Sequence, residues 1–180
     1  MVIQTEARNG HQFPRGENVD RLKGRDLLSL LAAIFLCELA GLVGSIFTTP
    51  AIPTWYATLK KPPFNPPSWI FAPVWVTLYM LMGISLFMVW RKGLHVPQIK
   101  KAVSVFGIQL ALNVLWSVTF FGAQSLFYGF IVIVLLLIAL LVTMVMFYAI
   151  SKTAGLLLLP YFIWGSFATI LNLSILLLNP

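Results

Sequence analysis

The stretch Leu126-Phe-Tyr-Gly-Phe-Ile-Val-Ile-Val-Leu-Leu-Leu-Ile-Ala-Leu-Leu-Val-Thr-Met-Val-Met-Phe-Tyr-Ala-Ile150 carries no formal charge from end to end. An α-helix in water needs a polar face, and this run offers none. Roughly 20 predominantly apolar residues suffice to cross about 30 Å of hydrocarbon. A strand of a membrane barrel would alternate apolar and polar over about ten residues; Ile131–Ile138 does not alternate at all. The segment reads as a membrane-spanning α-helix.

Four more stretches of the same character lie outward from it: Leu27–Phe47, Trp69–Trp90, Val103–Gly122 and Ala154–Leu178. The composition agrees, with 59% hydrophobic and only 9% charged residues, against about 25% charged in a soluble domain. The expected fold is all-α, an integral membrane bundle of five transmembrane helices occupying residues 27–180. Residues 1–26 form a basic arm, expected to be mobile. They lack the compact basic start and short apolar core of a cleaved signal peptide. The links at 123–125 and 151–153 are short enough to make helices 3, 4 and 5 antiparallel neighbours.

The net charge of +7 does not point to nucleic acid, because the basic residues sit beside the spans rather than in a patch interleaved with aromatics. They read as topology signals. Arg8, Arg15, Arg21, Lys23, Arg25 and the loop residues Arg91, Lys92, Lys100, Lys101, together with Lys152, fall on one side; only Lys60 and Lys61 fall on the other. This bias places the N-terminus in the cytoplasm and the first loop on the opposite face. A bacterial plasma membrane is expected rather than an organelle. An odd number of helices without an internal repeat leaves no pair of inverted halves for a conventional transporter.

The first loop, 48–68, contains Thr54-Trp-Tyr-Ala-Thr-Leu-Lys-Lys-Pro-Pro-Phe-Asn-Pro-Pro-Ser-Trp69. Its prolines fix φ and push their predecessors to extended conformations. The stiff segment presents Trp55, Tyr56, Phe64 and Trp69, and two readings stand: an interfacial aromatic belt, or a lid closing over a cavity between the helices.

Polar residues inside the spans form the second group. Gln109, Asn113 and Ser117 recur every four residues along helix 3 and share a face. That face turns into the bundle, because nothing in lipid satisfies it. It serves either hydrogen bonding between helices or ligand recognition. Trp116 and Phe120 flank it, Trp75 and Tyr79 lie one turn apart on helix 2, and Tyr161, Trp164, Ala168 and Asn172 line helix 5. Aromatics converging with a few amides describe a pocket for a flat, apolar ligand. Glu38 is the one acid in a span. Lacking a basic partner there, it reads as structural, protonated or hydrogen-bonded to a neighbouring helix. Ala40, Gly41 and Gly44 form a small-residue packing face. The single cysteine, Cys37, permits no internal disulfide, and no residue cluster suits a metal.

The combination Trp55-Tyr56, Leu59-x-Lys61-Pro62, Pro66-Pro67, Pro73-x-Trp75 and Tyr79-x-x-Met82-Gly83 resembles the first loop and second helix of the tryptophan-rich sensory protein (TspO) family. That family includes the translocator proteins, also called peripheral-type benzodiazepine receptors. Asn113-x-x-Trp116-Ser117 with Phe120-Phe121-Gly122 is similar to its third helix. Pro160-Tyr161-x-x-Trp164, Phe167-Ala168 and Leu171-Asn172 are similar to its fifth.

The resemblance implies a five-helix bundle, often a homodimer, whose pocket is capped by the first loop. Its ligands are tetrapyrroles, protoporphyrin IX and haem, and synthetic isoquinoline carboxamides and benzodiazepines; no cofactor is required. It places Tyr56, Pro66, Trp75, Asn113, Trp116, Trp164 and Ala168 around the ligand. Phe64, Phe71, Tyr79, Gln109, Ser117, Tyr161 and Asn172 complete the expected binding set. Some bacterial members degrade protoporphyrin in light through tryptophans matching Trp75 and Trp164. The chain departs from the pattern at Phe64, where many members carry tryptophan. Leu173–Leu178 also lacks the Tyr and Arg of the animal cholesterol motif, so steroid binding there is not expected. Sensor, transporter and light-dependent enzyme are the three functions left open.

Overall fold

The structure, a computed structural model, describes residues 24–180. The expected basic arm lies, but for its last three residues, outside the described residues. Among the described residues there is no strand. Five helical spans cover Gly24–Tyr56, Ser68–Trp90, Pro97–Gly122, Leu126–Ile150 and Lys152–Leu178. The protein is an integral membrane bundle of these five spans. They are built from α1 (Gly24–Ala51), α2 (Phe71–Trp90), α3 (Pro97–Ser117), α4 (Leu126–Ile150), α5 (Lys152–Leu157) and α6 (Leu159–Leu178).

The first span is longer than its apolar run of 27–47. It continues through Pro50 and ends in a π-helical turn, Ile52–Tyr56, so the irregular part of the first loop shrinks to residues 59–67. Proline in a helix frees a carbonyl one turn earlier, but in membrane spans hydroxyl side chains and local π turns restore the balance. The carbonyls that Pro50 and Pro53 leave free are those of Ile46 and Thr49, and the π turn follows directly. Thr48 Oγ1 and Thr54 Oγ1 donate to the nearby Gly44 and Pro50 carbonyls at 3.1 and 2.7 Å.

The third span starts at Pro97 rather than Val103, because proline suits a first helical position and the solvated Lys100 and Lys101 fit its first turns. It too ends in a π turn, Val118–Gly122. The fifth span begins at Lys152, where Ser151 Oγ accepts from the Ala154 N–H at 3.4 Å as an N-cap. The span is broken at Leu158, just ahead of Pro160.

Large apolar side chains cover the outside of the bundle, Phe35, Leu42, Ile138 and Ile170 among them. This is the arrangement for a solvent of lipid chains. Inside, one apolar cluster fills the half away from the first loop and includes Met82, Phe106, Leu140 and Phe147; Phe106 and Phe147 stack at 5.6 Å. A second cluster, with Tyr56, Phe120, Phe121, Leu171 and Ile175, fills the half beneath the loop.

Glycines set the path of α1. A Cβ on Gly83 would fall 2.5 Å from the Ile34 Cα, so α1 and α2 touch backbone to backbone there. Further along, a Cβ on Gly41 would strike the Tyr79 ring. At Gly44 the neighbour is no longer α2 but Ser117 of α3, and Phe47 meets Gly122 after α3. Helix α1 thus crosses from α2 to α3 as it rises toward the first loop, and it leaves α2 behind.

Candidate functional site

The space opened by that crossing is a cavity of about 350 Å³ in the loop-side half of the bundle. Its walls come from α1, α2, α3 and α6, with the two π turns supplying Tyr56, Phe120 and Phe121. Such turns are frequent at functional sites. Helix α4 contributes no lining residue; its buried stripe packs on α3 and α6 instead.

Aromatic rings make the wall. The Trp75 ring lies 5.8 Å from Tyr79, 6.1 Å from Trp116 and 6.0 Å from Tyr161. Trp116 stacks on Phe120 at 5.6 Å, and Phe71 meets Trp164 edge-on at 6.1 Å. Edge-on and offset pairs at these distances are the favoured geometries of aromatic rings. The result is a stiff, flat-sided chamber.

The floor is a buried polar chain. The Tyr79 hydroxyl donates to Asn113 Oδ1 at 2.5 Å, Asn113 Nδ2 donates to the Tyr161 hydroxyl, and Gln109 Nε2 donates to the same hydroxyl at 3.1 Å. Three helices are tied together in a region where water is not at hand to replace any of these bonds. Gln109 Oε1, Trp116 Nε1, Trp164 Nε1 and both amide atoms of Asn172 are buried without partners among the described residues.

The loop closes the top. Tyr56 is buried, donates its hydroxyl to Asn65 Oδ1 at 2.7 Å, and carries Lys61 Nζ over its ring at 4.8 Å. Lys60 is clasped by Asn179 at the end of α6. The two readings of the loop aromatics divide between residues. Tyr56 and Trp55 turn inward, Trp55 meeting Phe120 at 5.4 Å. Trp69 is 73% exposed and faces outward, where a belt residue stands.

Of the fourteen expected binding residues, Tyr56, Phe71, Trp75, Tyr79, Asn113, Trp116, Ser117, Trp164, Ala168 and Asn172 line the cavity. Phe64, Pro66, Gln109 and Tyr161 do not. Phe64 lies half-exposed on top of the loop against Phe167, 6.3 Å away. Pro66 stays in the loop, its carbonyl accepting from Asn65 Nδ2. Gln109 and Tyr161 sit behind and beneath the wall, in the floor network. The reason is rotational: residues four apart on a 3.6-residue helix drift about 40° per step, so Ser117 and Asn113 face the chamber and Gln109 has turned behind it.

The wall supplied by α1 does not stand out in the sequence. Its small and hydroxyl residues at Gly44, Ser45, Thr48 and Thr49 line the cavity, although they pattern as a packing face. The signal was their recurrence every three or four residues up to Tyr56. Glu38 also lines the cavity. Among the described residues it makes no hydrogen bond, so of the two states expected of it, protonated or hydrogen-bonded to a neighbouring helix, the second is not formed.

Comparison with known proteins covers nearly the whole bundle. Residues 33–178 match the model of the TspO/MBR family. The chain is 46% identical over 156 residues to the tryptophan-rich protein TspO of Chlorobaculum tepidum, covering 87% of this chain and 99% of that one. It is 35% identical over 153 residues to the tryptophan-rich sensory protein of Cereibacter sphaeroides, covering 82% and 92%. With the human translocator protein the identity is 38% over 131 residues, covering 72% and 78%. With its five spans, its tryptophan-walled chamber and this match over most of its length, the chain belongs to the TspO/MBR family of membrane proteins.

Proposed function

We propose that this protein is a membrane receptor or sensor that binds tetrapyrroles, protoporphyrin IX and haem, and related flat hydrophobic ligands in the cavity beneath the first loop. The observation that carries the reading is the chamber itself: about 350 Å³, walled by the indoles of Trp75, Trp116 and Trp164. Its size falls within the range of small-molecule sites, about 300–1,000 Å³. Flat rings gain most from flat walls, since stacked and edge-on contacts add to the area they bury. The buried, unpartnered indole N–H groups and the Asn172 amide are polar capacity that a carbonyl or carboxyl on the ligand takes up after a small side-chain rotation.

Titration of the purified protein with protoporphyrin IX, following tryptophan fluorescence in darkness, tests this. Saturable quenching with near-stoichiometric uptake is the expected result; its absence removes the reading. The same samples under light test photochemical degradation. The observation favouring that second reading is that Trp75 and Trp164 both border the cavity. Bleaching of the porphyrin band that needs light and both tryptophans establishes an enzyme. A stable band leaves a receptor or a transporter, which vesicle flux separates.

The reading includes a homodimer, and an orientation with the N-terminus in the cytoplasm of a bacterial plasma membrane and the first loop on the opposite face. The bias of basic residues supports the orientation, and labelling of Lys60 and Lys61 from either side of sealed vesicles tests it.

A further inference from the structure

We propose that the cavity has a side entrance from the bilayer between α1 and α2, and that Glu38 at its inner corner selects flat, lipid-soluble molecules carrying a protonated amine. The proposal rests on the cavity being a ligand site. It adds the route and the chemistry of the ligand's polar group.

The entrance follows from the path of α1. Ile34 on Gly83 and Gly41 on Tyr79 seal the two helices at and below the middle of the bundle. Above that point α1 leans onto α3, and nothing brings it back to α2. Leu42 of α1 is 63% exposed and Val76 of α2 is 52% exposed, yet both border the cavity. A residue is both wall and outer surface only where the wall ends. The top, in contrast, is clasped by Tyr56–Asn65 and Lys60–Asn179. The open side therefore faces the lipid chains.

Glu38 lies one helical turn below Leu42, on the same face of α1. Among the described residues it is the only acid on the cavity wall, and no Lys, Arg or His shares that wall. The Tyr79 hydroxyl in the floor is already committed to Asn113. An ionisable side chain in a span faces a cavity and finds a partner or marks a pathway. Here the protein supplies no partner among the described residues. A protonated amine on a ligand supplies one as a charge-assisted hydrogen bond, the strong kind. A neutral hydroxyl gains only the weaker bond of an uncharged donor, and an anionic group is held away from that end.

The test uses 1-pyrenemethylamine and its neutral analogue 1-pyrenemethanol, with tryptophan quenching as the readout. In the wild-type protein the amine binds more tightly than the alcohol by about tenfold, the worth of one charged hydrogen bond. In Glu38→Gln the amine-to-alcohol ratio falls to near one, and Glu38→Asp restores part of it. An unchanged ratio in Glu38→Gln overturns the assignment of Glu38, and saturable protoporphyrin IX quenching in the same samples shows that the cavity reading survives. If neither porphyrin nor pyrene quenches saturably, both readings fall. For the entrance, Ala72 is exposed and borders the cavity one turn from Val76 on α2. Ala72→Trp narrows the gap there, and uptake of the amine from loaded vesicles slows severalfold. Uptake at the wild-type rate removes the entrance.

Discussion

Asn179 and Lys60 are joined by two complementary hydrogen bonds across 119 residues of chain: the Lys60 N–H donates to Asn179 Oδ1 at 3.0 Å, and Asn179 Nδ2 donates to the Lys60 carbonyl at 2.9 Å. The same Nδ2 also donates to the Ile175 carbonyl at 2.8 Å, which fixes the amide on the end of α6. One side chain thus fastens the first loop to the helix that carries Trp164 and Asn172. Because these bonds are exposed, each contributes only about 0.5–1.5 kcal/mol, too little to hold the bundle but enough to hold a loop. Asn179→Ala is expected to speed dissociation of a bound porphyrin severalfold in stopped-flow dilution. The thermal midpoint in detergent stays within a few degrees of wild type. A dissociation rate equal to wild type shows that release does not pass the clasp and leaves the opening between α1 and α2 as the route.

The contact of Gly83 with Ile34 predicts a strong asymmetry between two glycines. A methyl at Gly83 meets backbone at 2.5 Å, whereas one at Gly107 has nothing within 4 Å. Gly83→Ala forces α1 and α2 apart and costs about 1–3 kcal/mol, as overpacking does. Gly107→Ala removes a helix-interior glycine and is expected to be neutral or stabilising by up to about 1 kcal/mol. Thermal unfolding of the two variants side by side checks this. Equal midpoints contradict the close approach.

The five spans were legible because apolar length is a strong signal that tertiary structure rarely overrules. The uncharged run 126–150 coincides with α4 to the residue. The ends of other spans were less so. Pro50 and Pro53 argue for a helix stop in any soluble protein, yet the first span runs on through a π turn to Tyr56. The lining of α2, α3 and α6 showed itself through aromatics and amides, which are rare in spans and conspicuous there. The wall from α1 did not, because a glycine or serine looks the same whether it faces a helix or an empty volume. What separated the two uses was the lean of α1 toward α3, a property of several contacts together.

The floor network ranks two tyrosines. Tyr161→Phe removes the oxygen at which both Asn113 Nδ2 and Gln109 Nε2 aim, leaving two buried donors unpaired. Tyr79→Phe leaves a single acceptor, Asn113 Oδ1, without its donor. An unpaired buried group costs about 1–3 kcal/mol, and interhelical bonds in membranes average nearer 0.6. Tyr161→Phe is therefore the more destabilising variant, by about 1 kcal/mol in reversible unfolding. The reverse order shows that the amides find other partners.

Phe64 and Phe71 provide the sharpest comparison between pattern and geometry. Both are expected ligand contacts by position in the sequence, but only Phe71 lines the cavity, edge-on to Trp164 at 6.1 Å. Phe64 rests on Phe167 at the top of the loop and is 48% exposed. Phe71→Ala removes a wall and the support of an indole, a loss of at least about 1.5 kcal/mol from aromatic contact and buried area. Its affinity for protoporphyrin IX is expected to fall by about tenfold or more. Phe64→Ala changes that affinity by less than about threefold, because its ring is already half exposed and packs on Phe167 outside the cavity lining. Equilibrium titration by tryptophan quenching measures both. A larger loss for Phe64→Ala moves the ligand out of the chamber and onto the loop.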